Sequence, residues 1–168
     1  MRNLIAACMA SAMCLTAAPA LAQSVTDNEA NAMLEKMSTP AFEFCTNTET
    51  SDSRPPIDQY NACQTALTEL AEARRKNPKA TPGQNEVYGF FESATEMGNT
   101  YAMMRVDGKP TARVCGNIEK QWVLANRSNP GVVGPELANA LTGMKEAIRP
   151  LVKLCRENVA TPDNALPI

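Results

Sequence analysis

The sequence predicts an all-α fold, a compact bundle of about five helices held together by two disulfide bonds. Apolar residues recur at spacings of three and four, which is the period of an amphipathic helix. No stretch of strand length alternates apolar and polar residues convincingly. Four cysteines follow an N-terminal leader, at positions Cys45, Cys63, Cys115 and Cys155. An even number of cysteines in an exported chain most often forms disulfides.

The first 22 residues have the pattern of a bacterial secretory signal peptide. Arg2 precedes an apolar run over residues 4–18, and small residues suit cleavage after Ala22. The run is too short for a membrane span. Lipidation is the alternative, because the residues around Cys8 resemble a lipobox, although they come early in the leader. We therefore expect a periplasmic or secreted protein without stable membrane insertion.

Cleavage would leave a single helical domain at 23–160 and a loose C-terminal tail at 161–168. Without the leader, the 168-residue chain keeps 146 residues, enough for one hydrophobic core. Arg2 is the only charge in the leader, so the mature chain has 15 basic and 18 acidic residues, a net charge of −3. This balance does not indicate a nucleic-acid-binding surface.

The first predicted helix begins at the capping box Thr26-Asp-Asn-Glu29, in which each end residue satisfies a backbone N–H of the other. A short continuation is predicted from Ala41 to Cys45. The second helix has an apolar stripe that consists of Ile57, Tyr60, Cys63, Leu67 and Leu70. We interpret its last residues, Arg74-Arg75-Lys76, as a helix end that suits the helix dipole and not as a ligand-binding patch.

The third predicted helix has an apolar stripe along one side. Its members are Val87, Phe90, Phe91, Ala94, Met97, Tyr101 and Met104. Gly89 and Gly98 interrupt this helix, and each costs roughly 0.5–1 kcal/mol relative to alanine. We therefore expect a neighbouring helix to pack closely at both glycines.

The last two helices form a hairpin between Pro110 and Asn158. The stripe of the first consists of Val114, Ile118, Trp122 and Ala125, and that of the second of Leu137, Leu141, Met144, Ile148, Leu151 and Cys155. Residues 128–135 contain Asn, Pro and Gly and cannot continue a helix. The two helices are therefore expected to fold back antiparallel and to bury their stripes together.

The four cysteines allow three pairings, and we predict that neighbours in sequence pair, Cys45 with Cys63 and Cys115 with Cys155. In a straight hairpin that turns at Gly131, Cys155 overshoots Cys115 by about 12 Å along the axis. A disulfide requires Cα atoms within about 7 Å of each other. The second bridge therefore requires a kink or break in the last helix, and Pro150 is the expected place.

The available side chains do not favour an enzyme or a cofactor. The chain has no histidine, which excludes histidine-dependent nucleophile pairs and zinc sites. It has no Cys-x-x-Cys, Walker loop or dinucleotide fingerprint. Glu92 and Glu96, one helical turn apart, could form an acid–base pair of the kind that glycosidases use. We expect them instead to be a solvated surface pair.

Methionines are the remaining candidates for a chemical role, because thioether sulfurs can bind Cu(I). The mature chain has six of them, Met33, Met37, Met97, Met103, Met104 and Met144. All except Met103 fall on predicted core faces, where methionine usually fills space. We therefore expect no bound metal, and copper handling is the alternative.

The order of these features resembles the small helical periplasmic immunity proteins that protect bacteria from type VI secretion effectors, the resistance-associated-protein family. The matching pieces cover about 40–157 and are Cys45, Cys63, Tyr88-Gly89-Phe90-Phe91, Cys115, the helix from Trp122 to Asn129-Pro130, and Leu137 to Cys155. Two departures are an extra stretch at 66–85 and Gly116, where the family has proline. The resemblance implies a disulfide-bonded helical fold, often dimeric, that neutralises a partner protein without catalysis.

We therefore expect a non-enzymatic periplasmic or secreted binding protein, with another protein, such as a secreted effector, as its partner. Two alternatives remain. The protein could handle a soft metal through its methionines, or it could be an accessory protein of the envelope or of a secretion system.

Overall fold

The computed structural model describes residues 24–47 and 53–158. Within them the chain forms six helices and no strand, in the order α1 (Asp27–Met37), α2 (Pro40–Thr46), α3 (Pro56–Lys76), α4 (Pro82–Asp107), α5 (Ala112–Arg127) and α6 (Pro135–Asn158), with a 3-10 turn at Pro130–Val132. The predicted all-α class is confirmed. The leader with Cys8 and the tail at 161–168 lie outside the described residues.

The predicted continuation of the first helix is a separate helix, α2. Its N-terminus is capped by Thr39, whose side chain accepts a hydrogen bond from the N–H of Phe42. The predicted capping box at the start of α1 is present, because the N–H of Thr26 donates to the Glu29 carboxylate and the N–H of Glu29 donates to the Thr26 hydroxyl. The bond from the Thr26 N–H is the main reason that the pKa of Glu29 lies below its usual value.

Helix α4 is the central element of the bundle, because it contacts the five other helices and the 3-10 turn. It is therefore buried on more than one side. Its buried residues include apolar Val87 and Phe91 and also polar Thr95, Glu96 and Asn99. An amphipathic stripe alone does not predict this arrangement, since a stripe describes a helix with one buried face.

Two clusters of apolar side chains fill the bundle. The first core joins α1, α3, the first half of α4 and the start of α6, and consists of Val25, Ala30, Met37, Leu70, Val87, Tyr88, Phe91, Leu137 and Leu141. The second core joins the end of α4, α5 and the second half of α6, and consists of Met103, Val114, Cys115, Ile118, Trp122, Ala125, Ile148, Val152 and Cys155. The predicted hairpin of α5 and α6 is thus the centre of the second core.

Both predicted disulfides are present, with Cα atoms 4.8 Å apart in Cys45–Cys63 and 5.5 Å apart in Cys115–Cys155. Of the kink or break predicted at Pro150, the break is wrong, because α6 stays helical through that residue. Leu137 at the start of α6 packs in the first core. Because Cys115 and Cys155 are bonded while α6 is unbroken, a straight hairpin that turns at Gly131 does not describe the two helices. Such disulfides are compatible with an oxidising, extracytoplasmic compartment.

The start of α6 is held by the N-terminal segment of the described chain. The Asp27 carboxylate accepts hydrogen bonds at 3.3 Å from the N–H groups of Glu136 and Leu137. These N–H groups have no partner within the helix, so Asp27 caps α6 from another element. A Cβ atom at Gly134 would overlap the Asp27 side chain, which explains the glycine there.

Candidate functional site

An open groove of about 480 Å³ runs along the second half of α4. Its apolar wall consists of Ala94, Met97, Tyr101 and Met104 from α4, with Leu151 from α6. Polar atoms come from Thr46, Thr100 and Gln121, and none of the described residues that line the groove is charged. A concave, mostly apolar surface with few polar groups is typical of a binding site.

The wall of the groove is the second half of the apolar stripe that the sequence assigns to the core. Phe91, in the first half, is buried and stacks on Phe42 of α2 with the ring centroids 3.9 Å apart. Met97, Tyr101 and Met104 are only half-buried. Their predicted core position is confirmed in part, because Met97 and Met104 pack against the second core, and their remaining surface lines the groove together with Tyr101.

Gly98 allows α2 to approach one end of the groove closely. A Cβ atom at this position would overlap the carbonyl oxygen of Cys45 and lie 2.8 Å from its sulfur. That carbonyl also accepts a hydrogen bond of 2.9 Å from Gln59 on α3, and the disulfide to Cys63 joins the same two helices. The predicted close approach is confirmed at Gly98. It is wrong at Gly89, where no atom lies within 4 Å of an added Cβ.

The two candidate catalytic carboxylates are not the solvated pair that we expected. Glu96 is 2% exposed and pairs with Lys120 of α5. Glu92 pairs with Arg74 of α3 at 2.7 Å. Because α3 and α5 both pack against α4, each carboxylate meets a cation from a different neighbour. Neither carboxylate lines the groove, so the structure does not bring them together in a common cavity.

A network of hydrogen bonds lies behind the groove. The amide of Asn99 donates to the Glu96 carboxylate at 3.1 Å and accepts from Gln64 of α3 at 3.2 Å. The Thr100 hydroxyl donates to the Glu96 carbonyl at 2.8 Å and accepts from Asn117 at 2.8 Å. Buried polar groups that are satisfied in this way fix the side chains around them.

Gln121 connects this network to the groove. It is 1% exposed and its amide nitrogen donates to the Thr100 hydroxyl at 2.6 Å, to the Glu96 carbonyl at 3.2 Å and to the Asn117 carbonyl at 3.4 Å. Because all three partners are acceptors, the end of the amide that faces them must be the NH2 group. These hydrogen bonds hold the Gln121 side chain in one orientation beside the groove.

A second cavity, the arginine cleft, has a volume of about 170 Å³ and lies beside the first half of α4. Arg74 and Arg127 line it together with Glu86 and Gly89, and the missing side chain of Gly89 leaves it open. Arg74 lies in the last turn of α3, as predicted for a helix end, and already pairs with Glu92.

All six methionines pack in or against one of the two cores. Met33 and Met37 do so at the first core, and Met97, Met103, Met104 and Met144 at the second. Only Met97 and Met104, of these six, line the groove. The described residues contain no group of three or more cysteine or carboxylate side chains that could hold a metal ion.

Among the described helices, none is both long and apolar enough to cross a bilayer. Comparison of the chain with protein-family models, with curated proteins and with solved structures found no match in any of the three. The candidate site therefore rests on its own geometry.

Gln121 is not among the residues that the sequence predicts for a site. A signal was present, because Gln121 lies three residues after Ile118 and directly before Trp122, on the apolar stripe of α5. A polar residue at a core position needs partners, and such a residue often belongs to a site.

Proposed function

We propose that this protein is a non-enzymatic, extracytoplasmic binding protein whose groove binds another protein. The observation that carries the proposal is the open groove along the second half of α4, where Met97, Tyr101 and Met104 are half-buried. An apolar surface that the fold leaves open is typical of an interaction site. The groove volume of about 480 Å³ falls within the range of binding pockets.

The surroundings of the groove suit a binding surface. The Cys45–Cys63 disulfide and the contact at Gly98 fix α2 and α3 against α4 before any partner binds. A surface that is ordered in advance loses less conformational entropy on association. Methionines supply adaptable apolar contacts to a partner. Because the groove is ordered in advance and contains methionines, we assign it the role of a protein-binding surface.

The narrower proposal is that the partner is a secreted effector and that the protein confers immunity against it. It is supported by the resemblance to the periplasmic immunity family and by the expected leader at 1–22. The two disulfides are compatible with the same compartment. An accessory protein of the envelope would use the groove in the same physical way, so the identity of the partner distinguishes the two roles.

Affinity capture with paired variants tests the proposal. The tagged mature protein captures its partner from the cells that encode it, and mass spectrometry identifies that partner. Met104→Glu places a charge in the groove, whereas Val106→Glu places one on the same helix at a site that is 49% exposed and outside the groove. We expect Met104→Glu to lose the partner and Val106→Glu to keep it. Equal capture by the two variants, or an eluate without a stoichiometric partner, would contradict the proposal.

Copper handling is the second candidate, because Met97 and Met104 line one groove and both sulfurs are soft ligands. Replacing both residues by leucine keeps the apolar volume and removes the sulfur. Copper handling predicts that the natural protein binds Cu(I) under reducing conditions and that the double variant does not. Protein binding predicts that the double variant still captures the partner.

A further inference from the structure

We infer that the arginine cleft binds a small zwitterion, an α-amino acid with an apolar side chain. This second site is independent of the groove and of the protein that the groove binds. The cleft has a volume of about 170 Å³, and residues of the four helices α3, α4, α5 and α6 line it. A cavity of about 150 Å³ can hold benzene, so a cleft of this size suits a ligand of roughly six to eight non-hydrogen atoms.

Gly89 is the first indication of a ligand, because packing does not explain a glycine at this position. A glycine inside a helix is less favourable than an alanine. The close approach of α2 accounts for Gly98, whereas an added Cβ at Gly89 would meet no atom within 4 Å. Gly89 instead lines the cleft together with Ser93, which lies one helical turn later and is 4% exposed. The missing side chain therefore keeps open a cleft that reaches a buried residue.

The charges of the cleft indicate which ligand it fits. Three of the described residues that line it are charged, Arg74, Glu86 and Arg127. Arg74 already pairs with Glu92 at 2.7 Å. Glu86 and Arg127 take part in none of the ion pairs between described residues, although their charges are opposite and both line the same cleft. One unpaired anion and one unpaired cation complement a ligand that carries both charges, whereas a purely anionic or cationic ligand would match only one of them.

The rest of the wall selects the body of the ligand. Its apolar members are Leu124, Ala125, Leu141 and Met144. An apolar wall with a few polar groups that fix orientation is typical of a small-molecule site. An α-amino acid with an apolar side chain supplies a carboxylate for Arg127, an ammonium group for Glu86 and a hydrocarbon body for this wall. Valine, with eight non-hydrogen atoms, is about as large as the cleft admits.

Titration of the natural protein with L-valine, followed by methyl NMR, tests the inference. We expect valine to shift the methyl signals of Leu141 and Met144 and to leave that of Met104, in the groove, unchanged. 3-Methylbutanoate lacks the ammonium group of valine, and 2-methylpropylamine lacks its carboxylate. We expect each analogue to bind roughly ten-fold more weakly than valine, because each leaves one charge of the cleft without a partner.

Variants with matched side chains separate the cleft from other effects. Gly89→Leu fills the cleft, whereas Gly116→Leu adds the same side chain at an exposed position of α5 where an added Cβ also meets no atom within 4 Å. We expect Gly89→Leu to lose valine binding and Gly116→Leu to keep it. Glu86→Gln removes the anion and keeps the shape, so this variant should bind valine and 3-methylbutanoate equally.

Unchanged valine binding by Gly89→Leu would overturn the inference, and so would equal affinity of the natural protein for valine and its two analogues. Loss of binding in both leucine variants, or a valine titration without shifts at Leu141 and Met144, would overturn it as well. None of these results affects the proposed function, since capture with Met104→Glu and Val106→Glu tests the groove separately.

Discussion

The two halves of α4 carry one continuous apolar stripe but meet different surroundings. In the first half, Val87 and Phe91 are closed into the first core, and Phe42 stacks on Phe91. In the second half, Met97, Tyr101 and Met104 stay half-buried along an open groove, and polar side chains are buried behind it. The same sequence pattern is thus closed into a core in one half and borders an open groove in the other.

The second half of α4 has two features that lower the stability of the fold. Buried polar groups and uncovered apolar surface both cost free energy relative to a closed apolar core. Departures of this kind are expected at functional sites. Both occur together in the second half of α4, around Glu96 and Gln121 on one side and Met104 on the other. We therefore expect substitutions in the two halves to act differently.

The largest expected effect is the loss of a disulfide. Replacing Cys115 and Cys155 by serine frees residues separated by 40 positions and should lower the free energy of unfolding by about 4 kcal/mol. The same change at Cys45 and Cys63, separated by 18 positions, should cost about 3 kcal/mol. Urea unfolding measures both values. Within each pair the single and double variants should agree, and a double variant clearly worse than its singles would mean that the two sulfurs are not bonded to each other.

The next largest loss of stability is expected at Gly98, one of the two glycines inside α4. Gly98→Ala should lower the free energy of unfolding by about 3 kcal/mol, because the new Cβ overlaps the backbone of Cys45 and overpacks the contact between α2 and α4. Thermal unfolding followed by circular dichroism measures the change. A Gly98→Ala protein as stable as the natural one would show that α2 does not pack against α4 at this point.

A smaller effect is expected from the ion pair behind the groove. Lys120→Met leaves the Glu96 carboxylate, 2% exposed, without its cation. The cost should be about 2 kcal/mol, below that of a fully buried pair because the Lys120 side chain is 53% exposed. Adding Glu96→Gln removes the uncompensated charge and should restore part of the loss in a double-mutant cycle. Additive losses would show that the two groups do not interact.

The smallest expected effect is a gain in stability, whereas the changes above lower it. Gly89→Ala should raise the free energy of unfolding by about 0.5–1 kcal/mol, because alanine favours the helix and the new Cβ meets no atom within 4 Å. Gly116→Ala on α5, where the surroundings are equally open, is the matched control and should gain a similar amount. A loss of stability at Gly89 alone would mean that the arginine cleft closes more tightly than the structure shows.

Periodicity and cysteine spacing were sufficient to predict the class and the connections of this fold. The repeats of three and four residues located the helices, and pairing of neighbouring cysteines matches both disulfides. The cap that Asp27 forms on α6 could not be predicted, because Asp27 lies 109 residues before Glu136 in the sequence. Local spacing contains no information about such a contact.

The candidate site was only partly visible in the sequence. The stripe that contains Met97, Tyr101 and Met104 was found, but the pattern does not show how far α2 reaches along it. The burial of Glu96 was missed, since it depends on Lys120 from another helix. A stripe identifies apolar surface, and only the packing of its neighbours decides which part stays open.

Site-specific photo-crosslinking tests the central claim most directly. A photoreactive amino acid replaces Met104 in the groove, and in a matched variant it replaces Glu86 in the arginine cleft on the same helix. After irradiation of the cells that encode the protein, we expect one adduct of defined mass from position 104 and none from position 86. An adduct from position 86, with none from position 104, would contradict the assignment of the groove as the binding site.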